Sequence, residues 1–331
     1  MLSSHDHPFA RLHITGNPFS MATSQEHFFH TPATRTILEE LAHGILTRKG
    51  FLALMGEVGV GKTSLALQLF SRLESEPVDF AWVFTTMFTK EDLFRAIAED
   101  FGLHPDPGWT LLDHQRALQE FFLARYQEGR ICVIAVDEAH NLTFDSLEAL
   151  RLLGNFEFGG HKLVQVLLIA QPELAERLTE PCLRQLKSRI AISRTLPELS
   201  RQELVDYTHF KLATAGSQLR LTPWGARRLW RGCRGNVRLA NLILERALYA
   251  CMALDARALD GRVLGAALGE VRQERGAVDN LPWTWAVAAM LGLSMALAFV
   301  PLWEVDGKRL SAAAVLWEVL RPNASTQGAQ P

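Results

Sequence analysis

Short, almost wholly apolar runs alternate along this chain with longer segments in which apolar residues recur every three or four positions. The runs "FLALMG", "DFAWVFTT", "RICVIAVDEAH", "KLVQVLLIAQPE" and "IAISRTLPELS" predict five strands. Between them, "KTSLALQLFSRLE", "KEDLFRAIAEDFG", "LLDHQRALQEFFLARYQEG" and "FDSLEALRLLGNF" have helical spacing. Ahead of the first strand, "TPATRTILEELAHGILTRKG" predicts a helix with Thr31 as N-cap, Pro32 in the first turn and Gly50 as terminator. Strands without polar alternation, interleaved with helices, argue for an α/β fold with a parallel sheet covered on both faces. From about Leu199 the pattern is helical only: "SRQELVDYTHFKLATAG", "TPWGARRLWRGC", "NVRLANLILERALYACMA" and "DARALDGRVLGAALGEVRQER". The division expected is an α/β domain over 1–196 and a small all-helical domain over 197–278.

The next segment breaks the amphipathic pattern. From Leu281 to Trp303 there is no charged residue, and about 20 helical residues at about 1.5 Å each cross a hydrocarbon core. Trp283, Trp285 and Trp303 stand at its two ends as an aromatic belt would, and Gly292 and Ser294 are tolerated in such helices. A single transmembrane helix is expected over 281–303, with a short tail over 304–331. Within that tail "LSAAAVLWEVL" is either a small amphipathic helix that docks a partner or an unstructured or membrane-lying segment; the end from Asn323 is small and polar.

Composition narrows the picture. With 331 residues, 48% hydrophobic and a formal net charge of -2, the chain buries a sizeable core and has no global attraction for nucleic acid or anionic lipid. The cysteines Cys132, Cys182, Cys233 and Cys251 have no zinc spacing and are expected as buried, reduced thiols. The N-terminus lacks a basic region followed by an apolar run, so it is no secretory signal, and the large N-terminal part is expected to stay in the cytoplasm.

The chemistry starts at "GEVGVGKTS", Gly56 to Ser64, which fits G-x-x-x-x-G-K-[ST] between a predicted strand and a predicted helix. Gly56, Gly59 and Gly61, with Glu57, Val58 and Val60 between them, let the backbone wrap a phosphate chain with N–H groups pointing inward. Lys62 reaches the β- and γ-phosphates, the Thr63 hydroxyl is an Mg²⁺ ligand, and Ser64 continues the positive helix end. "ICVIAVDE" places Asp137 and Glu138 at a strand end, where open parallel sheets bind ligands. Asp137 then holds Mg²⁺ through water opposite Thr63, and Glu138 orients the water that attacks the γ-phosphate of ATP. The run "DEAH" also suggests a helicase, but the chain after Leu199 is too short and too helical for a second motor domain, so His140 is expected as a local structural residue. Gln171, after "VLLIA", is placed to sense the γ-phosphate or the water. For an arginine finger from a neighbouring subunit, "CLRQLKSRI" offers Arg189 first and Arg184 second, on a helix with Lys187. Arg238 opens a helix in "GNVRLAN" and can fold back onto the nucleotide. Arg227, Arg228, Arg231 and Arg234 are expected as a solvated face, with a nucleic-acid patch as the alternative.

In order, "NPF" (Asn17 to Phe19), "GEVGVGKT", "VDEAHNL", "LIAQPEL", "LRQLKSRI", "LPELSRQEL" and "GNVRLANLILERAL" resemble the AAA+ ATPases of the general secretion pathway protein A (ExeA-like) family. Similar ATPases serve mannose-sensitive pilus biogenesis and exosortase-linked export. The likeness runs from about Leu12 to Met252. It implies an αβα P-loop AAA+ core, an all-helical lid and ATP-driven, ring-like homo-oligomers. It makes Lys62 and Thr63 Walker A, Asp137 and Glu138 Walker B, Gln171 sensor one, Arg189 a finger and Arg238 sensor two. "DEAH" stands where "DEAQ" is expected, and "GNVR" replaces a Gly-Pro-Arg-like turn. Secretion proteins of this family can carry a long periplasmic peptidoglycan-binding region, for which the residues after Trp303 are too few.

Arg262, Arg272 and Arg275 before the apolar stretch balance Lys308, Arg309 and Arg321 after it, so charge does not orient the span. Cytosolic ATP does. The expectation is a bacterial inner-membrane, single-pass ATPase with a cytoplasmic N-terminal domain, envelope-assembly partners, and a role in secretion or pilus biogenesis. Two rivals stand beside it: a DNA-associated regulator resembling TniB-type transposition ATPases, and a nucleotide-gated scaffold with little turnover.

Overall fold

The computed structural model describes residues 28–84, 89–279, 301–305 and 308–311, together with 9, 12, 14 and 16–20. The chain divides into two units, Met1–Val271 and Arg272–Pro331.

In the first unit, α1 (Pro32–Leu46) starts at Thr31, whose hydroxyl accepts the Thr34 N–H while the Thr34 hydroxyl accepts the Thr31 N–H. The helix ends at Thr47, not at Gly50: the Thr47 N–H bonds back to the His43 and Ile45 carbonyls, and Arg48 turns the chain with φ 54. Gly50, with φ 87, instead leads into β1 (Phe51–Met55). The order continues with α2 (Lys62–Leu73), β2 (Val78–Val83), α3 (Lys90–Asp100), α4 (Leu111–Gln127), β3 (Ile131–Val136) and α5 (Phe144–Leu153). A two-residue hairpin, β4 (Glu157–Phe158) and β5 (His161–Lys162), precedes β6 (Val164–Ala170), α6 (Glu173–Arg177), α7 (Arg184–Lys187) and β7 (Ile190–Thr195). That hairpin has no apolar alternation to predict it.

All five long strands are parallel, in the order β2-β3-β6-β1-β7. Successive side chains of β1 enter different cores. Leu52 and Leu54 pack with Leu65 and Leu69 of α2 and Leu41 of α1, while Phe51 and Ala53 join Phe94 of α3, Phe122 of α4 and Leu150 of α5. Burial on both faces explains why the strands read as unbroken apolar runs. The edge strand β7 is largely exposed and carries Arg194, paired with Glu40 of α1; charge on an edge discourages pairing with another sheet.

The helical part comprises α8 (Arg201–Thr214), α9 (Pro223–Cys233), α10 (Val237–Ala253) and α11 (Gly261–Asp279). Its core includes Leu204, Leu229, Ile243, Leu244 and Leu264. Phe9, Ile14 and Phe19 from the N-terminal segment are buried in this same core, and the Asn17 amide donates to Glu245 of α10 at 2.7 Å. Cys132, Cys233 and Cys251 are buried thiols, with burial pushing their pKa values up to about 12, about 11 and about 11. Cys182 departs from the expectation: it is exposed, because it lies on a surface turn beside Glu180.

In the second unit, β8 (Pro301–Val305) pairs antiparallel with β9 (Lys308–Ser311). This corrects the expected transmembrane helix at its end, since Pro301, Leu302 and Trp303 are strand residues. Asp-Gly at 306–307 between alternating residues is a hairpin signal that outweighs the apolar run there. Leu310 and Ser311 are likewise strand, not the start of a tail helix. The rest of the apolar stretch, 281–300, and the tail from 312 lie outside the described residues. Among the described residues no helix is long and apolar enough to cross a membrane.

Candidate active site

Three neighbouring strands end at the same edge of the sheet. Met55 of β1 pairs with Ala170 of β6, and Val136 of β3 pairs with Leu168 of β6. The loop after β1, the acidic pair after β3 and Gln171 after β6 therefore converge without any contribution from sequence proximity.

The loop is built to receive an anion. Gly61, with φ 102, is the residue before α2, and no side chain caps that helix. A Cβ on Gly61 would meet no atom within 4 Å, so it would project into open space over the helix end. The Lys62 ammonium is buried and donates to the carbonyls of Gly56 at 2.8 Å and Glu57 at 3.0 Å. Burial lowers its pKa, while Glu138, Asp137, Glu57 and Glu173 pull it back up. A buried cation beside an uncapped helix N-terminus, with open space at the glycine, fits a phosphate group.

A second group of oxygens lies opposite. The Thr63 hydroxyl donates to Asp137 Oδ2 at 2.7 Å, and Asp137 Oδ1 accepts the Glu138 N–H at 2.8 Å. Hydroxyl and carboxylate oxygens are the donor set of a hard cation, so Thr63 and Asp137 fit Mg²⁺. Glu138 has a left-handed backbone, φ 50 and ψ 35, which turns the chain sharply just past the end of β3. Its carboxylate accepts from Gln171 Nε2 at 3.2 Å. Gln171 Nε2 also lies 2.8 Å from His140 Nε2, and the Arg177 guanidinium holds the carbonyls of His140 and Leu142.

The helical part closes the cleft. The Arg238 backbone N–H donates to the Gly59 carbonyl at 2.9 Å, and the Asn236 amide to the Val58 carbonyl at 2.6 Å. A cleft of about 340 Å³ lies between, lined by Gly61, Lys62, Thr63, Glu138, Arg238 and Asn241. An adjoining cavity of about 120 Å³ shares Gly61, Ser64 and Asn241 and is walled by Phe28, Phe29 and Tyr207. Tyr207 donates to Asn241 Oδ1 at 2.6 Å, and burial raises its phenol pKa to about 12, with the Asn241 bond opposing. An apolar, aromatic cavity next to a phosphate loop suits a planar base. Its walls come from the N-terminal segment, α8 and α10, which no local motif links.

Gly59, Gly61, Lys62, Thr63, Ser64, Glu138 and Arg238 thus line one cleft, with Val58. Asp137 and Gln171 reach it through Thr63 and Glu138. Arg184 and Arg189 do not line it. Arg189 lies just past α7, its guanidinium held by the Arg151 carbonyl and the Asn155 side chain. Arg184 is exposed, and its guanidinium has no bonded partner among the described residues. His140, expected as structural only, lies within the Glu138–Gln171 pair.

Comparison with known proteins bears on the sequence and the fold. Residues 45–178 match the family model described as an AAA domain. Over 289 residues, 86% of the chain, the sequence is 36% identical to General secretion pathway protein A of Aeromonas hydrophila. The chain spans about half of that relative, 51% of its length. Similar solved structures include the Aeropyrum pernix ORC2 protein in its ADPNP–ADP complexes (21% identity, TM-score 0.59, 77% of this chain and 71% of that one). CDC6P from Pyrobaculum aerophilum follows at 16% identity and TM-score 0.60, covering 73% and 67%. The Thermotoga maritima RuvB Holliday junction branch migration motor, at 16% identity and TM-score 0.54, covers 91% and 98%. At such identities the likeness is one of fold.

Proposed function

We propose that this chain is an AAA+ ATPase similar to general secretion pathway protein A, which binds ATP in this cleft and hydrolyses it to drive the assembly or regulation of a cell-envelope secretion or pilus system. The observation that carries the reading is the convergence of Lys62, Thr63, Asp137, Glu138 and Gln171 at three adjacent strand ends, under lid residues Asn236 and Arg238.

In this reading the loop from Gly56 to Gly61 and the α2 N-terminus bind the phosphates, and Lys62 neutralises the β- and γ-oxygens. Thr63 and Asp137 hold Mg²⁺, which supplies positive charge to the transferring phosphoryl group. Glu138 orients the attacking water, Gln171 fixes Glu138, and Arg238 reports nucleotide to the lid. A finger arginine, Arg184 or Arg189, enters from the next subunit of a ring. The uncharged 20 residues 281–300, about 30 Å as a helix, anchor the protein once in the bacterial inner membrane with the ATPase in the cytoplasm. The name of the relative supports the secretion role.

Lys62→Ala is expected to lose binding of a fluorescent ATP analogue. Glu138→Gln is expected to bind it and to hydrolyse ATP about 100-fold or more slowly. Normal turnover by Glu138→Gln would remove the water-orienting role. The ATP-trapped Glu138→Gln protein, extracted from its native membrane, is expected to bring down envelope-assembly proteins. A second reading, a DNA-associated regulator, draws on α9, where Trp224 is exposed under the Arg227 guanidinium and Arg228 and Arg231 are close by. Recovery of DNA or recombination proteins in that trap would favour it.

A further inference from the structure

A nucleotide laid in this site has its phosphates at the loop after β1 and its base in the aromatic cavity, so the sugar that joins them lies where the two spaces meet. The phosphate cleft and the aromatic cavity share Gly61, Ser64, Val237 and Asn241 in their walls. Gly61 has no side chain, and Val237 offers only methyl groups. Ser64 stands in the first turn of α2 with Lys62 and Thr63 and faces the phosphate end. Asn241 is the remaining polar side chain of the shared wall. It comes from α10, three positions after Arg238, so the two residues occupy one face of the helix over the cleft.

Tyr207 fixes which atom Asn241 has to offer. The Tyr207 ring is buried, packed edge-on against Phe29 with 5.7 Å between centroids, and its hydroxyl donates to Asn241 Oδ1 at 2.6 Å. Burial pushes the phenol pKa up to about 12, so the hydroxyl keeps its hydrogen. Among the described residues that hydrogen has no acceptor other than Asn241, and of the two amide atoms only the oxygen accepts. Turning the amide round would set an N–H against the phenol oxygen and leave the buried hydroxyl hydrogen without an acceptor, which costs more than leaving a half-buried N–H free. The amide oxygen is therefore committed to Tyr207. The nitrogen of Asn241, with its hydrogens, has no partner among the described residues, and the side chain is only half-buried where the two spaces meet.

We propose that Asn241 reads the sugar: its Nδ2 donates to a ribose hydroxyl oxygen of the bound nucleotide, which makes the site prefer a ribonucleotide to the deoxynucleotide lacking that hydroxyl. This rests on the reading of the cleft as a nucleotide site. A ribose hydroxyl has lone pairs to accept the amide hydrogen, and a donor held in place for a hydroxyl is left unpaired when the hydroxyl is missing. The 2′ and 3′ hydroxyls share this chemistry, and the test separates them. Tyr207 acts through Asn241, by holding the amide with its nitrogen available to the ligand.

The test uses the full chain and diphosphates, which bind without turnover: ADP, 2′-deoxy-ADP and 3′-deoxy-ADP with Mg²⁺, by titration calorimetry. The deoxy compound that lacks the contacted hydroxyl is expected to bind about fivefold more weakly than ADP. Asn241→Ala is expected to weaken ADP about fivefold, and the two losses are expected not to add, so the variant no longer tells ADP from that compound. Tyr207→Phe keeps the ring and the amide but releases the amide from its hold, and is expected to bring the ratio down to about twofold. Equal affinity of the parental chain for all three compounds would overturn the proposal. So would a ratio that survives in Asn241→Ala, which would place the contact on the base or the phosphates, or one unchanged in Tyr207→Phe. In each of these cases ADP still binds, and the nucleotide reading stands. A parental chain that binds no ADP would overturn both.

Discussion

At the scale of single residues, local spacing identified what is contiguous. The phosphate loop, Lys62, Thr63 and the Asp137–Glu138 pair were legible because each chemical demand falls on neighbouring positions of a strand-to-helix turn. The position of His140 was not, since its contact with Gln171 joins residues 31 positions apart. His114 of α4 was not either. Its ring is fully buried against the edge of Trp109, and among the described residues neither nitrogen has a partner. Burial, then the Arg95 charge, lowers its pKa below 6.5, and burial followed by Arg35 does the same for His30. In the unfolded chain these rings take up a proton near pH 6.5, while in the fold they resist it. The unfolded state then binds more protons, so the stability they contribute is complete above the unfolded pKa and is lost as pH falls below it. His114→Leu should therefore reduce the drop in melting temperature between about pH 7.5 and about pH 5.5. An unchanged drop, by scanning calorimetry, would show that His114 is not the titrating group.

At the scale of elements, the lid and the phosphate loop are joined by two hydrogen bonds from the start of α10. Asn236 does two jobs: its side-chain oxygen caps the helix at the Leu239 N–H, 3.1 Å away, and its nitrogen binds the Val58 carbonyl. Asn236→Ala should cost about 1–2 kcal/mol, by urea unfolding. Gly59 is required there for space and conformation. With φ +80, its added Cβ would meet Arg238 Cβ at 2.6 Å and Asn236 Oδ1 at 2.8 Å. Gly59→Ala is expected to cost roughly 1–3 kcal/mol and to raise hydrogen exchange at the Arg238 amide, which bonds to Gly59. Protection unchanged at Arg238 would mean the lid does not depend on this contact. The periodicities gave the helices and long strands because amphipathic and doubly buried segments leave different imprints. They gave neither β4–β5 nor β8–β9, where pairing rests on turn geometry and few side chains.

At the scale of the whole molecule, the proposed arginine finger would act only in an assembly of subunits. Arg189 ranked first by sequence, yet its guanidinium is committed to Arg151 and Asn155 of its own chain, whereas that of Arg184 is exposed and unbonded among the described residues. Arg184→Ala is therefore expected to reduce the ATPase rate of concentrated protein about 100-fold or more, and Arg189→Ala less. Mixing Arg184→Ala with Glu138→Gln should restore part of the rate, because each supplies what the other lacks across a subunit boundary. No gain on mixing would place the finger elsewhere.

The sequence by itself determined the parallel sheet, the helical run after Leu199 and the candidate phosphate and metal ligands. These follow from short-range order: apolar periodicity records which faces are buried, and a nucleotide loop needs its glycines, lysine and hydroxyl within a few positions. Tertiary structure alone decided what meets across the sheet edge and the lid. The strand order β2-β3-β6-β1-β7 places Gln171 between the loop and the acidic pair, and packing against Tyr207 and Asn241 forms the aromatic cavity. The same packing carried Phe9, Ile14 and Phe19 into the lid core and made His140 the neighbour of Glu138. Such contacts depend on chain crossings between segments far apart in sequence, and no local pattern of polarity encodes them.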